Sequence, residues 1–263
     1  MYSFDYARAK NAKDAAKLLA KKEAKVVAGG MTLLPTMKQR LAKPSLLVDL
    51  AASKDLKGIK KAAKALTIGA MTTHAEVAHS SVVKGACAAL AALAEGIGDP
   101  QVRNRGTIGG SIANNDPAAD YPAACLALGA TIVTTQRKIP ADKFFKGMFE
   151  TALKRNELVT AIQFPMAEKA AYIKFPNPAS RYAIVGVFVA KFKDEVRVAV
   201  TGAGPGVFRV PAWEEALAKK WSADAIAAGA VKAADMNSDI HATAEYRAHL
   251  CAVMAKRAVA AAK

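Results

Sequence analysis

Apolar and polar positions alternate in short blocks over the first 50 residues. They predict a strand, a helix, a strand, a loop, a second helix and a final strand. Asn11 precedes an Ala/Leu/Lys stretch and is a favourable helix N-cap. The apolar run at 24–28 predicts a buried strand, residues 31–42 a helix and residues 46–50 another strand. Strands and helices that alternate over short connections are typical of a small parallel α/β unit.

The middle of the chain has three successive patterns: a strand with helix, a glycine-rich loop and a short helix. Residues 64–69 predict a strand, and the alanine-rich stretch 75–95 predicts helix. Residues 96–120 then contain five glycines and two prolines, which predicts an irregular loop without regular helix. A glycine-dense loop of that length inside a compact domain is usually functional. A short helix follows at 120–129, with an early proline and a terminal glycine.

The last hundred residues predict a small antiparallel sheet and helices. Residues 182–192 and 195–202 have strand patterns, and Lys193-Asp194 between them predicts a tight turn. Three helical stretches follow, and the last places five residues on one face. These are Tyr246, Leu250, Val253, Met254 and Arg257. The predicted architecture is α+β, with two α/β subdomains at 1–55 and 56–164 and a C-terminal domain at 165–263.

Composition narrows the class of protein. Hydrophobic residues make up 52% of the 263 positions, enough for a sizeable core. No apolar run approaches the roughly 20 residues that span a bilayer, and residues 1–6 lack the layout of a signal peptide. We therefore expect a cytoplasmic protein without a membrane span. The three cysteines lie far apart and predict small buried hydrophobic residues, and neither they nor the four histidines have metal-ligand spacing.

A formal charge of +16 is the one unusual global value. Such charge is compatible with nucleic acid, a membrane surface or an acidic partner. The 38 basic residues are scattered, however, and only 6% of residues are aromatic. Since no basic cluster interleaves with aromatic residues, we do not expect nucleic-acid binding. A solvated lysine-rich surface is the preferred interpretation, with docking on an acidic subunit as the second.

The first glycine pair, Gly29-Gly30, directly follows a predicted strand. Glycines there allow successive backbone N–H groups to converge on an anion such as a pyrophosphate. The pattern matches neither the Rossmann nor the P-loop motif. Alone, a glycine pair after a strand most often marks an ordinary turn.

The second glycine pair, Gly109-Gly110, is surrounded by short polar side chains. Thr107, Ser111, Asn114, Asn115 and Asp120 provide many donors and acceptors for hydroxyl and phosphate groups. Two such loops, one in each subdomain, predict a long polar ligand of dinucleotide size in a cleft between them.

These loops resemble the paired FAD-binding signatures of the flavoprotein subunits of molybdenum hydroxylases. The similarity lies in Ala28-Gly-Gly-Met-Thr-Leu-Leu-Pro35 and in Thr107-Ile-Gly-Gly-Ser111 through Asp120. It continues through residues 69–77, 144–153, 179–186 and 244–250, and so covers nearly the whole chain. The family includes the medium subunit of carbon monoxide dehydrogenase and the flavin domain of xanthine dehydrogenase. The resemblance implies an FAD-binding fold of the vanillyl-alcohol oxidase type (a PCMH-type FAD-binding domain) with an additional C-terminal domain.

The resemblance also implies roles for individual residues. The first loop would wrap the FAD pyrophosphate, the second would line the opposite side, and Asp120 would bond a cofactor hydroxyl. Leu158 would lie near the adenine, and Lys174 and Tyr182 are candidates near the isoalloxazine, although Tyr182 as an ordinary strand residue is equally compatible. The implied cofactor-binding set is Ala28, Gly29, Gly30, Met31, Thr32, Leu33, Thr107, Ile108, Gly109, Gly110, Ser111, Asn114, Asp120, Leu158, Lys174 and Tyr182. Met31 stands where many members of the family carry His or another polar residue, and Ser111 replaces a frequent Asn or Asp. We expect these departures to preserve FAD binding and to affect the tuning of the flavin.

The implied function is electron transfer within a heterotrimer. A large subunit would carry molybdopterin, a small one two iron–sulfur clusters of the 2Fe–2S type, and two heterotrimers would associate. This chain would pass electrons to an external acceptor, with no catalytic residues and no metal of its own. Two alternatives remain: a free-standing flavin oxidoreductase of the same fold, and a basic binding module that rests only on the charge.

Overall fold

The computed structural model describes all 263 residues, which are organised around three β-sheets. The first sheet is parallel, with β3 (Leu46–Asp49) between β1 (Asp5–Arg8) and β2 (Ala24–Val27), which confirms the predicted α/β unit. Asn11 caps the first helix by accepting the Asp14 N–H at 2.9 Å. The elements are β1 (Asp5–Arg8), α1 (Ala12–Leu19), β2 (Ala24–Val27), α2 (Leu33–Lys38) and β3 (Leu46–Asp49). Helix α2 is shorter than the predicted 31–42, because the chain turns left-handed at Arg40, with φ of 63°.

The second sheet is antiparallel, and its strands are β4 (Ile59–Lys61), β5 (Ala65–Gly69), β6 (Thr131–Thr134), β7 (Lys138–Pro140) and β10 (Val159–Pro165). Their order in the sheet is β4-β5-β10-β6-β7. A separate two-stranded ribbon is formed by β8 (Phe145–Gly147) and β9 (Glu150–Thr151).

Helices cover the second sheet. They are α3 (His74–His79), α4 (Ser81–Ala86), α5 (Ala88–Glu95), α6 (Pro100–Arg105), α7 (Ile108–Asn114), α8 (Tyr121–Ala127) and α9 (Ala141–Phe144). The predicted helix at 75–95 is three helices, because Ser80 and Cys87 adopt extended conformations at their junctions. The prediction that 96–120 contains no regular helix was wrong. Asp99 caps α6 and Thr107 caps α7, so local side-chain hydrogen bonds outweigh the glycine content.

The third sheet is antiparallel, and its strands are β11 (Lys169–Pro176), β12 (Ala183–Lys191), β13 (Val196–Thr201) and β14 (Phe208–Arg209). Their order in the sheet is β11-β12-β13-β14. Strands β12 and β13 flank the predicted turn at 193–194. Helices α10 (Pro211–Lys219) and α11 (Ala244–Ala261) follow, so the three predicted helical stretches are two helices, with three 3-10 turns between 223 and 235.

Both faces of the third sheet are buried, so the sheet lies between two hydrophobic cores. One face contributes Phe188, Ala190 and Ala199 to the core of the second sheet, a cluster of 31 residues. The other packs against α10 and α11. The predicted face of α11 was partly wrong, because Tyr246 and Arg257 are exposed while alanines at 248, 252, 255 and 258 are buried. Small side chains allow the helix to lie close to the sheet.

Two of the three cysteines, Cys125 and Cys251, are fully buried as predicted, and Cys87 is partly buried. None of the helices is both long enough and apolar enough to cross a bilayer.

Candidate functional site

The first glycine loop, residues 28–33, connects the end of β2 to α2. Gly29 packs so tightly against the second subdomain that a Cβ there would lie 2.0 Å from the Arg105 carbonyl oxygen. Gly30 follows with a φ of 76°. Among the backbone hydrogen bonds of the protein, none has an N–H of residues 28–33 as its donor. This loop therefore presents a series of unpaired backbone donors.

The second glycine pair differs, because it lies in the first turn of α7. The Ile108 N–H donates to Thr72 O at 3.1 Å and the Gly109 N–H donates to Ala70 O at 2.9 Å. Thr107 accepts the Gly110 N–H on its hydroxyl at 3.1 Å. The amides of this loop are thus used inside the protein, which leaves its side chains as the groups that can contact a ligand.

A cleft of about 680 Å³ lies between the two loops, within the range of ordinary cofactor sites. Every residue of the predicted set lines it except Ile108 and Lys174. Ile108 points into the core and is fully buried. The side chains of Ser111 and Asn114 line the cleft and make no hydrogen bond to the protein. Asn115 is a structural residue, because its side chain donates to Gly147 O and Glu150 O at 2.8 Å each.

Asp120 lies in the cleft wall, where strand β11 provides both of its partners. The Tyr172 hydroxyl donates to Asp120 Oδ1 at 2.5 Å, and Lys174 Nζ lies 3.0 Å from the same oxygen. Burial raises the pKa of Asp120, and the Lys174 ammonium and the Tyr172 hydroxyl oppose that rise. Lys174 also donates to Gly96 O at 2.7 Å, next to the cleft residues Ile97 and Gly98.

Tyr182 and Leu158 occupy different parts of the cleft. Leu158 is buried, with 7% of its surface exposed, whereas Tyr182 is 46% exposed. Burial, followed by the charges of Asp116 and Asp120, raises the pKa of Tyr182.

His74 is a cleft residue that the sequence did not identify. It is 5% exposed, and its Nδ1 has no hydrogen-bond partner. Burial, and then the charge of Arg103, lowers its pKa to about 4. Its backbone N–H donates to Gly106 O at 3.0 Å, so α3 contacts the residue that precedes Thr107.

Glu157 is a second cleft residue that the sequence did not identify, and it is buried and ion-paired with Arg137. Burial would raise its pKa, but hydrogen bonds from Arg137, Thr134 and the Lys154 N–H lower it to about 2. Cationic side chains line the cleft as well. They are Lys25, Lys154, Arg155 and Arg181. No periodicity marked these residues, because they come from segments distant in the chain.

Comparison with known proteins covers the whole chain. A family model described as the FAD binding domain in molybdopterin dehydrogenase matches residues 2–167. A second, the CO dehydrogenase flavoprotein C-terminal domain, matches residues 170–262.

Relatives match at similar length. The carbon monoxide dehydrogenase medium chain of Hydrogenophaga pseudoflava is 34% identical, over 98% of this chain and 96% of its own. The nicotine 6-hydroxylase medium subunit of Paenarthrobacter nicotinovorans is also 34% identical, over 97% and 95%.

Solved structures agree with these matches. A carbon monoxide dehydrogenase from Hydrogenophaga pseudoflava superposes with a TM-score of 0.91 and 36% identity, over 99% of this chain and 97% of the other. Quinoline 2-oxidoreductase from Pseudomonas putida superposes with a TM-score of 0.89 and 26% identity, over 98% and 96%.

Proposed function

The chain belongs to the FAD-binding subunits of molybdenum hydroxylases, and from that premise we propose that it acts as the electron-transfer subunit of such a complex. It holds FAD between its two glycine loops, receives electrons from iron–sulfur clusters on a small partner subunit and passes them to an external acceptor. A large partner subunit carries molybdopterin, and two heterotrimers associate in the cytoplasm. The medium-chain names and full-length coverage of the relatives support this assignment.

The unpaired amides of residues 28–33 are the observation that carries the proposal. Backbone N–H groups that converge on a cleft bind phosphate oxygens without needing a charged side chain. We propose that they hold the FAD pyrophosphate, with its charge offset by Lys25 and Arg155 in the same cleft.

The remaining residues fit the rest of such a cofactor. Ser111 and Asn114 have free polar groups for sugar and ribityl hydroxyls, as does Asp120. Leu158 offers an apolar surface to the adenine, and Tyr182 lies at an exposed position suited to covering the isoalloxazine. When bound, the isoalloxazine supplies the redox chemistry, and the protein supplies orientation and electrostatics.

Flavin content tests the first part of the proposal. We expect the purified protein to be yellow and to show a flavin absorption spectrum. In the apoprotein, ADP should compete with FAD while riboflavin competes weakly, because the amides bind the pyrophosphate. A colourless protein that takes up no added FAD contradicts the proposal.

Metal content tests the second part. Gentle affinity purification from the native source should recover molybdenum and iron together with the flavin, and two further subunits. Recovery of this chain alone, with flavin-dependent activity and without molybdenum, would favour a free-standing flavin enzyme. Stopped-flow reoxidation of the reduced complex by NAD, oxygen and a quinone then identifies the acceptor as the one that reacts at the rate of turnover.

A further inference from the structure

We infer that Tyr172 is a positioning residue for the cofactor: with Lys174 it holds the Asp120 carboxylate at the cleft wall, so that the C-terminal domain sets how tightly the FAD-binding domain retains FAD. The inference rests on the proposed function and goes beyond it, because Tyr172 does not line the cleft.

The contact joins the two parts of the chain that the two family models match. Asp120 precedes α8 in the FAD-binding part, while Tyr172 and Lys174 lie on β11 in the C-terminal part. Residues two apart on a strand point to the same face, and here both reach the same carboxylate oxygen, at 2.5 and 3.0 Å. The side chains of Lys174 and Asp120 are only 9% and 5% exposed.

The arrangement leaves half of the carboxylate available. Both contacts use Oδ1, and no other side chain donates to Oδ2. Oδ2 has no hydrogen-bond partner in the protein and is not among the fully buried atoms, so a ligand can reach it. Since Asp120 lines the cleft, the two β11 residues fix the rotamer of a carboxylate whose second oxygen can accept a ligand hydroxyl.

Gly186 makes room for the Tyr172 hydroxyl. It lies on β12, paired with Lys174. A Cβ at position 186 would lie 2.2 Å from Tyr172 Oη and 2.9 Å from its Cζ. Any larger residue there must therefore displace the hydroxyl from Asp120 while leaving the tyrosine in the sequence.

Tyr121 shows that burial of a tyrosine near the cleft does not itself require such a bond. It is fully buried and adjacent to Asp120, and its hydroxyl has no partner. Tyr121→Phe is therefore a matched control, which removes one buried hydroxyl beside Asp120 without removing a contact to it.

The ionisable groups around Asp120 determine the pH dependence. Tyr172 and Lys174 face it from β11, Tyr121 follows it at the start of α8, and Tyr182 lies close enough for the Asp120 charge to raise its pKa. Removing the Tyr172 hydroxyl takes away one influence that lowers the pKa of Asp120, so the carboxylate gains its proton at a higher pH. Because an ionised carboxylate accepts a hydroxyl hydrogen bond more strongly than a neutral carboxyl group does, FAD affinity then begins to fall at a higher pH.

The test is an FAD titration of the full-length apoprotein at a series of pH values. Binding is monitored by the quenching of flavin fluorescence. We expect Tyr172→Phe to raise the Kd about tenfold, the usual size of a lost hydrogen bond to a charged group. The acid limb of binding should also move to higher pH. Tyr121→Phe should leave both quantities within about twofold of the unmodified protein, and Gly186→Ala should shift them in the same direction as Tyr172→Phe.

Different results overturn different claims. If the unmodified protein binds no FAD, the proposed function fails. If that protein binds FAD and Tyr172→Phe matches Tyr121→Phe in Kd and in pH profile, only the role of Tyr172 fails. Loss of folding in both Tyr172→Phe and Gly186→Ala, judged by circular dichroism, also overturns the inference, because the contact would then serve stability instead of the cofactor.

Discussion

The two glycine pairs are alike in sequence, but their backbone amides are hydrogen-bonded differently in the structure. The first, at 29–30, lies in a loop whose amides from 28 to 33 have no acceptor in the protein. The second, at 109–110, opens α7, and its two amides are bonded to Ala70 O and the Thr107 hydroxyl. The first loop thus offers donors to a ligand, whereas the second forms a rigid wall that offers the side chains of Ser111 and Asn114.

The difference shows that a glycine pair has no fixed meaning. At the first pair, glycine permits a close approach to the Arg105 backbone and a positive φ. At the second, the capping threonine allows a helix to begin in spite of the glycines. Four predictions test whether the loops differ in this way, in order of decreasing effect.

Gly110→Glu should have the largest effect. Gly110 faces the cleft, and a carboxylate there would occupy the ligand volume and repel a pyrophosphate. We expect FAD to bind about 1,000-fold more weakly, equivalent to about 4 kcal/mol, as measured by fluorescence titration. Gly229→Glu is the control, since a Cβ at 229 meets no atom within 4 Å. Retention of flavin by Gly110→Glu would show that the second loop does not border the cofactor.

The second prediction concerns acid stability at His74, below the second loop. Its pKa is about 4 in the folded chain and 6.5 when unperturbed, so protonation favours unfolding. The contribution of neutral His74 to the free energy of unfolding is complete above pH 6.5 and is lost as the pH falls through 4. The total loss is roughly 3 kcal/mol.

Urea unfolding of the apoprotein between these pH values measures that loss. His74→Phe should lose less stability in acid than the unmodified protein. His249→Phe, at an exposed position, should not alter the slope. Equal slopes for all three proteins would refute the burial of a neutral histidine under this loop.

Gly29→Ala should come next. The added methyl group meets backbone atoms of Arg105 and Gly106, which cannot move away as a flexible side chain would. Overpacking of this kind costs about 2 kcal/mol, visible in thermal unfolding, and it should also weaken FAD binding. Gly206→Ala, where a Cβ meets nothing within 4 Å, should behave as the unmodified protein does. An unchanged melting temperature in Gly29→Ala would mean that the loops do not touch.

The smallest expected effect contrasts two threonines. Thr107 caps α7 through its hydroxyl, whereas Thr32 precedes α2 without a side-chain cap. Thr107→Val should therefore cost about 1 kcal/mol of stability, and Thr32→Val should cost much less. Chemical denaturation of both apoproteins makes the comparison, and an equal loss in both would remove the distinction between the loops.

Local patterns were sufficient for much of the fold. The strands at 24–27, 46–49 and 65–69, the cap at Asn11 and the turn at 193–194 depend on neighbours in the chain, so they could be predicted. The position of both glycine pairs in one cleft was also predicted from the residues, whereas their hydrogen bonding was not.

The remaining features were decided by contacts between distant segments. Ile108 faces the core because α7 packs on the second sheet, and α11 buries its alanines because the third sheet lies close to it. Lys174 reaches Gly96 and Asp120, more than 50 positions away in the chain, because β11 packs on α5 beside Asp120. The sequence by itself determined most of the strands, several of the helices and the polar side chains of the second loop. Only the tertiary structure decided which amides remain free, because packing brings Thr72 O and Ala70 O within reach of the Ile108 and Gly109 amides.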